Sequence, residues 1–260
     1  MSEPKRASFD FSGKSVLVTG ATSGLGAAIA EAFGASGADV VLAGRDPQRG
    51  SRLREQLRGL GRKVEFIPGD ITDPTYCDSL VRETISTLGR LDIAVNSAGV
   101  AYHATVDETT DEQWQNTFDV NVNGMFYVCR AAIPAMRKRG GVIVNIASDA
   151  ALTGSKHLVA YCASKGAVLQ MTRAMAIDHA REGIRVVAVC PGDVDTPMLR
   201  GEFRDLGLSI EEGLRQSAEG VPLNRVATPE EVADLVLYSA SDSGRFMTGY
   251  PLVMDGGSRA

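Results

Sequence analysis

Seven short apolar runs, rich in β-branched residues, recur along this chain with helical patterns between them. The runs are Ser15–Thr19, Asp39–Ala43, Lys63–Pro68, Ile93–Asn96, Val142–Ala147, Arg185–Cys190 and Pro251–Met254. Each is bounded by Gly, Pro, Asp or Asn, as expected of strands covered on both faces. The helical patterns are Leu25–Ser36, Pro47–Leu60, Thr75–Leu88, Asp111–Lys138, Ala160–Arg181 and Pro229–Ser239. Alternation of this kind joins parallel strands by right-handed crossovers. The expected fold class is therefore α/β: a doubly wound, seven-stranded parallel sheet with helices on both faces. The 260 residues show no linker, repeat or composition break, so 1–260 reads as a single domain.

One segment interrupts the rhythm. Pro197–Pro222 carries Gly201, Gly207, Gly213 and Gly220 among mixed charges, with room for one or two short helices. It follows the carboxyl end of a strand, where ligands bind in open α/β sheets, so it reads as a substrate-binding loop region. Its arginines (Arg200, Arg204, Arg215) alternate with acids and form no clear phosphate clamp.

Composition narrows the function classes. A net charge of −5 with dispersed Lys and Arg lacks the basic face that nucleic acid requires. No apolar run approaches the ~20 residues of a membrane span. Met1–Asp10 is polar and charged, unlike a signal peptide. Cys77, Cys129, Cys162 and Cys190 have neither metal-ligand nor disulfide-scaffold spacing and read as reduced core thiols, consistent with a cytoplasmic protein.

The first strand ends in Thr19-Gly20-Ala21-Thr22-Ser23-Gly24-Leu25-Gly26, and a helical pattern follows at once. A pyrophosphate needs backbone N–H groups and no side chain in the way; glycines at a strand-to-helix turn supply both, and the helix N-terminus adds favourable charge. Gly20, Thr22, Ser23, Gly24, Leu25 and Gly26 are the expected cradle of a dinucleotide, although the spacing departs from G-x-G-x-x-G. The second strand ends Ala43-Gly44-Arg45, with no acid before Asp46. A carboxylate there would hold the ribose 2′-hydroxyl of NAD, whereas Arg45 suits a 2′-phosphate and Gly44 would leave room for it. The expected cofactor is NADP(H), with NAD the alternative if Arg45 instead pairs with a surface acid.

The glycine spacing, read with Tyr161-Cys162-Ala163-Ser164-Lys165, resembles the short-chain dehydrogenase/reductase family, and 3-oxoacyl-(acyl carrier protein) reductase-like members in particular. The resemblance runs from about Gly13 to Gly257 and includes Asp70-Ile71, Asn96-Ser97-Ala98-Gly99, Asn121, Ser148, Pro191-Gly192 with Thr196, and Asp255-Gly256-Gly257. It implies a Rossmann fold. It implies further that Asp70 and Ile71 flank the adenine, that Asn96, Ala98 and Gly99 line the path to the ribose, and that Pro191, Gly192 and Val194 contact the cofactor. Thr196 is expected to bind the nicotinamide carboxamide. Two positions depart from the family pattern. Ser97 stands where a second Asn is usual, a change expected to affect strand support, and Ser23 stands where NADP-specific members often carry a basic residue.

Hydride transfer to a carbonyl leaves an alkoxide that needs a proton. Tyr161 can give one, but a phenol with pKa near about 10 is a poor base in the reverse direction. Lys165, four residues on, shares its helix face and is expected to lower that pKa and, by the resemblance, to bind the nicotinamide ribose. Ser148 follows a strand end and can donate to the substrate oxygen, or simply cap a turn. Asn121 interrupts an apolar helical pattern; the resemblance has it hold a water that relays protons to Lys165, and a structural amide at a kink is the rival reading. The expected catalytic residues are thus Asn121, Ser148, Tyr161 and Lys165, acting on a small-molecule carbonyl or alcohol: a 3-oxoacyl thioester, a sugar, or a cyclic ketone or alcohol. The alternative is a catalytically silent dinucleotide-binding redox sensor or scaffold, which would have no need of the acid–base groups.

His103, His157 and His179 lack the spacing of a metal site. His103 and His157 lie within reach of a substrate, and His179 is expected to be exposed at a helix end. Asp149, Leu152 and Asp193 occupy similar mouth positions. Trp114 reads as core or interface packing. By family analogy the protein is a homotetramer, with Asp111–Lys138 and Ala160–Arg181 as candidate interfaces.

Overall fold

All five residues of β1 (Ser15–Thr19) are buried, and that burial places the strand inside the sheet. In the computed structural model, which describes residues 8–260, β1 pairs in parallel with β2 (Asp39–Gly44) on one side and β4 (Ile93–Asn96) on the other. Residues 1–7, most of the polar stretch read as unlike a signal peptide, lie outside the described residues. With β3 (Val64–Pro68), β5 (Gly141–Ile146), β6 (Ile184–Pro191) and β7 (Pro251–Met254), the sheet has the order β3-β2-β1-β4-β5-β6-β7, parallel throughout. The chain reverses its direction of winding between β1 and β4, and a crevice opens there at the strands' carboxyl ends.

Period-2 alternation divides the strands between two cores. Val16, Val18, Val40, Leu42, Ile93 and Val95 face α1 (Gly24–Ala35), α2 (Pro47–Arg58) and α9 (Pro229–Ala240), against Phe33, Leu57 and Val236. Leu17, Val41, Ala94, Ile143 and Ala188 face the other way, toward α3 (Pro74–Leu88), α5 (Met125–Met136) and α6 (Val159–His179), against Leu80, Met136 and Val168. The helices start where capping chemistry puts them. Asp46 and Asp73 accept first-turn N–H groups ahead of Pro47 and Pro74, and Thr228 forms a capping box with Glu231.

One expected element differs, and a second takes definite form. The single helix read over Asp111–Lys138 is α4 (Asp111–Phe118), a wide π-helical stretch (Asp119–Gly124) and then α5. The wide turn brings Gly124 against Ile71, where a Cβ would stand 2.6 Å from Ile71 Cδ1. Pro197–Pro222 is mostly helical: Thr196 caps α7 (Pro197–Asp205), Ser209 caps α8 (Ile210–Glu219), and Gly207 in left-handed conformation separates them. Among the described residues no helix is long and apolar enough to cross a membrane, and no group of three or more His, Cys, Asp or Glu is placed to hold a metal. All four cysteines are free thiols, with Cys77, Cys129 and Cys190 buried and Cys162 half-buried.

Candidate active site

A cleft of about 760 Å³ lies over the carboxyl ends of the strands. Thr19 Oγ1 helps to fix its floor, donating to Val95 O at 3.4 Å and accepting from Ser97 N at 3.2 Å, which ties β1 to β4 at the switch of winding. The turn that follows β1 leaves no space for side chains. Gly20 has φ +68°, and a Cβ there would sit 2.7 Å from Ala98 Cα; a Cβ on Gly26 would sit 2.3 Å from Gly20 O. Ser23 opens α1 in extended conformation and makes no side-chain cap, so its first-turn N–H groups remain available to an anion. Gly20, Thr22, Ser23, Gly24, Leu25 and Gly26 all line the cleft. This cradle fits a pyrophosphate.

Beyond the turn, Arg45, Arg49, Asp70 and Ile71 line the end of the cleft where the adenosine is expected. Arg45 is largely exposed and only loosely paired, 3.9 Å from Asp70. Arg49 pairs with Asp46, whose Oδ1 is engaged by the N–H groups of Gln48 and Arg49 as the cap of α2. Gly44 has a different reason from the one expected. A Cβ there would strike Thr22 at 2.7 Å, so close packing against the glycine turn requires it, whatever lies beyond.

At the other end β5 delivers Ser148 and α6 delivers Tyr161 and Lys165 to one wall. Ser148 Oγ donates to Asp149 Oδ1 at 3.0 Å and accepts from Ala150 N at 3.1 Å. Burial pushes the half-buried phenol of Tyr161 up to about 12, and the nearby Ser148 hydroxyl offsets this only in part. The expected lowering by Lys165 is not what this geometry gives. Lys165 Nζ lies 5.5 Å from the ring centre, donates to Ile146 O at 2.7 Å, and is itself pushed down to about 8 by burial. Both groups are desolvated in the same crevice, and the ammonium points at a carbonyl rather than at the phenol.

Asn121 is buried in the wide turn. Its Nδ2 donates to Val100 O at 2.9 Å and Ser164 Oγ at 3.0 Å, while Oδ1 accepts from Val100 N at 2.8 Å. The side chain therefore clamps the loop after β4 to α6 with both its donors engaged, as the rival reading of a structural amide has it. Asn96 departs from expectation. Its side chain turns under the cleft, donating to Asn145 Oδ1 at 2.8 Å, and Asn145 Nδ2 donates to Thr172 Oγ1 at 2.9 Å. Of the expected ribose path only Ala98 and Gly99 line the cleft, joined by Ser97, whose buried Oγ has no protein partner. Pro191, Gly192, Val194 and Thr196 line it on the opposite side, Thr196 capping α7 through Leu199 N.

The mouth is more polar than the sequence suggested. Asp149 and Asp193 line it and Leu152 does not. His103 stacks on His157, with ring centres 4.8 Å apart, and neither lines the cleft; His103 Nε2 instead reaches Glu202 Oε1 at 3.5 Å, holding α7 to the loop after β4. His179 is half-buried rather than exposed, bonded to Glu182 at 3.1 Å. Trp114 stacks on Phe118 and stays partly exposed, so it is not core. Sequence reasoning missed Arg49, Ser155, Glu202, Ser217 and Arg259, all of which line the cleft. Arg49 stands one helical turn after Arg45, and Glu202 and Ser217 fall within the expected region Pro197–Pro222.

Residues 20–259 match the family model described as enoyl-(acyl carrier protein) reductase. A 3β-hydroxysteroid dehydrogenase of Mediterraneibacter gnavus is 37% identical, over 95% of this chain and 95% of its own. The L-fucose dehydrogenase of Mus musculus is 38% identical, over 95% of this chain and 89% of its own. The crystal structure of a short-chain type dehydrogenase/reductase from Mycobacterium marinum superposes with a TM-score of 0.88 at 33% identity, covering 97% of this chain and 98% of that one. The chain belongs to the short-chain dehydrogenase/reductase family. As a member it is an oxidoreductase of alcohols or ketones that uses a nicotinamide dinucleotide. In this short-chain dehydrogenase/reductase the glycine turn and the Ser148–Tyr161–Lys165 wall belong to one continuous cleft.

Proposed function

We propose that this enzyme prefers NADP(H) and moves a hydride between the nicotinamide and a carbonyl or secondary-alcohol carbon, with Tyr161 as proton donor and acceptor. The observation that carries the reading is the convergence of Ser148, Tyr161 and Lys165 on the cleft that the glycine turn opens. The bound dinucleotide supplies or accepts the hydride. Gly20, Ser23, Gly24 and Gly26 would hold its pyrophosphate, Asp70 and Ile71 its adenine, Lys165 the nicotinamide ribose and Thr196 the carboxamide. Arg45 supports the NADP preference because it is largely exposed at that end of the cleft and only loosely paired with Asp70, while Asp46, the acid that follows it, is committed to capping α2.

In reduction the carbonyl carbon gains the hydride and its oxygen takes the Tyr161 proton. Ser148 donates to that oxygen as charge develops, which requires its hydroxyl to turn away from Asp149. The phenolate then regains a proton from solvent through Lys165. Asn121 positions Lys165 and the loop that bears Gly99, and only the second lone pair of its Oδ1, or a backbone carbonyl of the wide turn, is left to hold a water. A phenol held above its ordinary value rests as a proton donor, so oxidation should quicken as pH rises from 7 to 10, whereas reduction should not.

A homotetramer is supported by large apolar side chains left exposed on α4, α5, α6 and around β7: Trp114, Phe126, Ile177, Phe246 and Tyr250. Free thiols throughout suit a cytoplasmic protein. The test is NADPH oxidation by the purified protein against 3-oxoacyl thioesters, keto sugars, cyclic ketones and diketones, with matched alcohols and NADP⁺ in reverse. Turnover of one class, lost in Tyr161→Phe, supports the reading; tight NADPH binding with silence across the panel favours a redox sensor.

A further inference from the structure

The cleft around Ser148 and Tyr161 carries more charge than proton transfer at Tyr161 requires. Its charged groups come from four separate places. Asp149 follows β5, Asp193 follows β6, Glu202 lies on α7, and Arg259 reaches in from the C-terminal segment. They are not equivalent. Arg259 Nε donates to Asp149 Oδ2 at 3.0 Å and its Nη2 to Ser155 Oγ at 3.2 Å, so that pair is internally compensated. Asp193 has the Ser217 hydroxyl nearby, and Glu202 has His103 at 3.5 Å. Burial holds both carboxyls above their ordinary range. Two carboxylates are thus kept desolvated in the cleft that Ser148 and Tyr161 line, with lone pairs left to accept.

The chemistry of these acceptors discriminates among alcohols. A neutral substrate with hydroxyls on neighbouring carbons would donate to them in charge-assisted hydrogen bonds, recovering what burial cost. An apolar polycyclic alcohol would cover them and leave them unpaired. A hydroxy acid would bring a like charge to a wall whose one arginine is already engaged. Leu158, Met198 and Leu199 provide an apolar patch in the same cleft, which suits the C–H face of a ring.

We propose that the substrate of this enzyme is a compact, neutral polyhydroxylated molecule, a sugar or short polyol, and that Asp193 and Glu202 select it by accepting hydrogen bonds from hydroxyls flanking the reacting carbon. This rests on the oxidoreductase reading of the site. In oxidation such a substrate loses its carbinol hydrogen, with the bonding pair, to the oxidised dinucleotide and its hydroxyl proton to the Tyr161 phenolate, and a carbonyl results.

The test compares kcat/KM of the full chain, with NADP⁺ and NAD⁺, for three sets: neutral aldoses and polyols, apolar cyclic alcohols, and hydroxy acids. The first set should lead by about tenfold or more. Asp193→Asn and Glu202→Gln should each raise KM for the best polyol about tenfold, with a smaller change in kcat, and should narrow the lead over apolar alcohols. Dinucleotide Kd and Tm of the variants report whether they fold. Preference for apolar alcohols or hydroxy acids, or an unchanged polyol KM in folded variants, overturns the proposal and leaves the oxidoreductase reading standing. Should no alcohol be oxidised while polyols still raise Tm of the dinucleotide-loaded wild type, an effect lost in both variants, the selection by Asp193 and Glu202 stands and the oxidoreductase reading falls. Neither turnover nor a Tm shift with polyols overturns both.

Discussion

The two ends of the cleft are built by different means. At the dinucleotide end, backbone does the work: a turn packed so closely that Gly20 and Gly26 admit no Cβ, and a helix whose first N–H groups are left free. At the substrate end, side chains from the segments after β5 and β6, from α7 and from the C-terminal segment line one space. The first kind of site is fixed by a few consecutive residues. The second exists only when distant segments have docked. A cofactor shared by many enzymes suits the first construction and a particular substrate suits the second.

The largest expected effect tests the boundary between the two. Tyr161→Phe should lower kcat by about 10²–10⁴-fold while dinucleotide Kd stays within a factor of about two, since only the proton is removed. A parallel loss of cofactor binding, read by fluorescence titration, would show that the ends are not separable. Gly26→Ala attacks the backbone end. Its new methyl meets Gly20 O, and such overpacking costs about 1–3 kcal/mol, so dinucleotide affinity should fall about 10–100-fold. Unchanged affinity would remove the claim that backbone approach builds that end.

The difference also explains what the sequence disclosed. β1, β4 and β7 have the bounds that periodicity assigns, and the glycine turn, Ser148, Tyr161 and Lys165 are where local pattern puts them. The π-helical turn at Asp119–Gly124 is invisible because one extra residue in a turn scarcely disturbs an apolar period. Asn96 and Asn121 are plain in sequence, yet the direction of their amides depends on Asn145, Ser164 and Val100, which are distant in the chain. Glu202 was legible only as part of the segment Pro197–Pro222, and Arg259 left no signal, for a charge near a chain end ordinarily lies in solvent.

Two smaller effects sharpen the contrast. Arg45→Ser should weaken NADPH about tenfold and leave NADH nearly unchanged, with the NADPH loss shrinking as salt is raised. Equal losses for both nucleotides would deny Arg45 its part in discrimination. Lys165→Met should change stability with a particular pH signature. The folded-state pKa of Lys165 is depressed to about 8 from an ordinary 10.5. Keeping the ammonium buried therefore destabilises the wild type below pH 8, and this is relieved as pH rises toward 10.5. The Tm of the variant relative to wild type should be higher by a few degrees at pH 7 than at pH 10, and a difference independent of pH would contradict the burial argument.

The chain Asn96–Asn145–Thr172 runs from β4 through β5 into α6, beneath the helix that carries Tyr161 and Lys165. Amides buried in an apolar layer accept few alternative pairings, so the strand register and the rotation of α6 are specified together. The segments bearing Asp193, Glu202 and Arg259 lie outside that chain. Descendants of this sequence are thus free to acquire new substrates by replacing residues at the mouth, while the distance between proton donor and cofactor cradle is inherited intact.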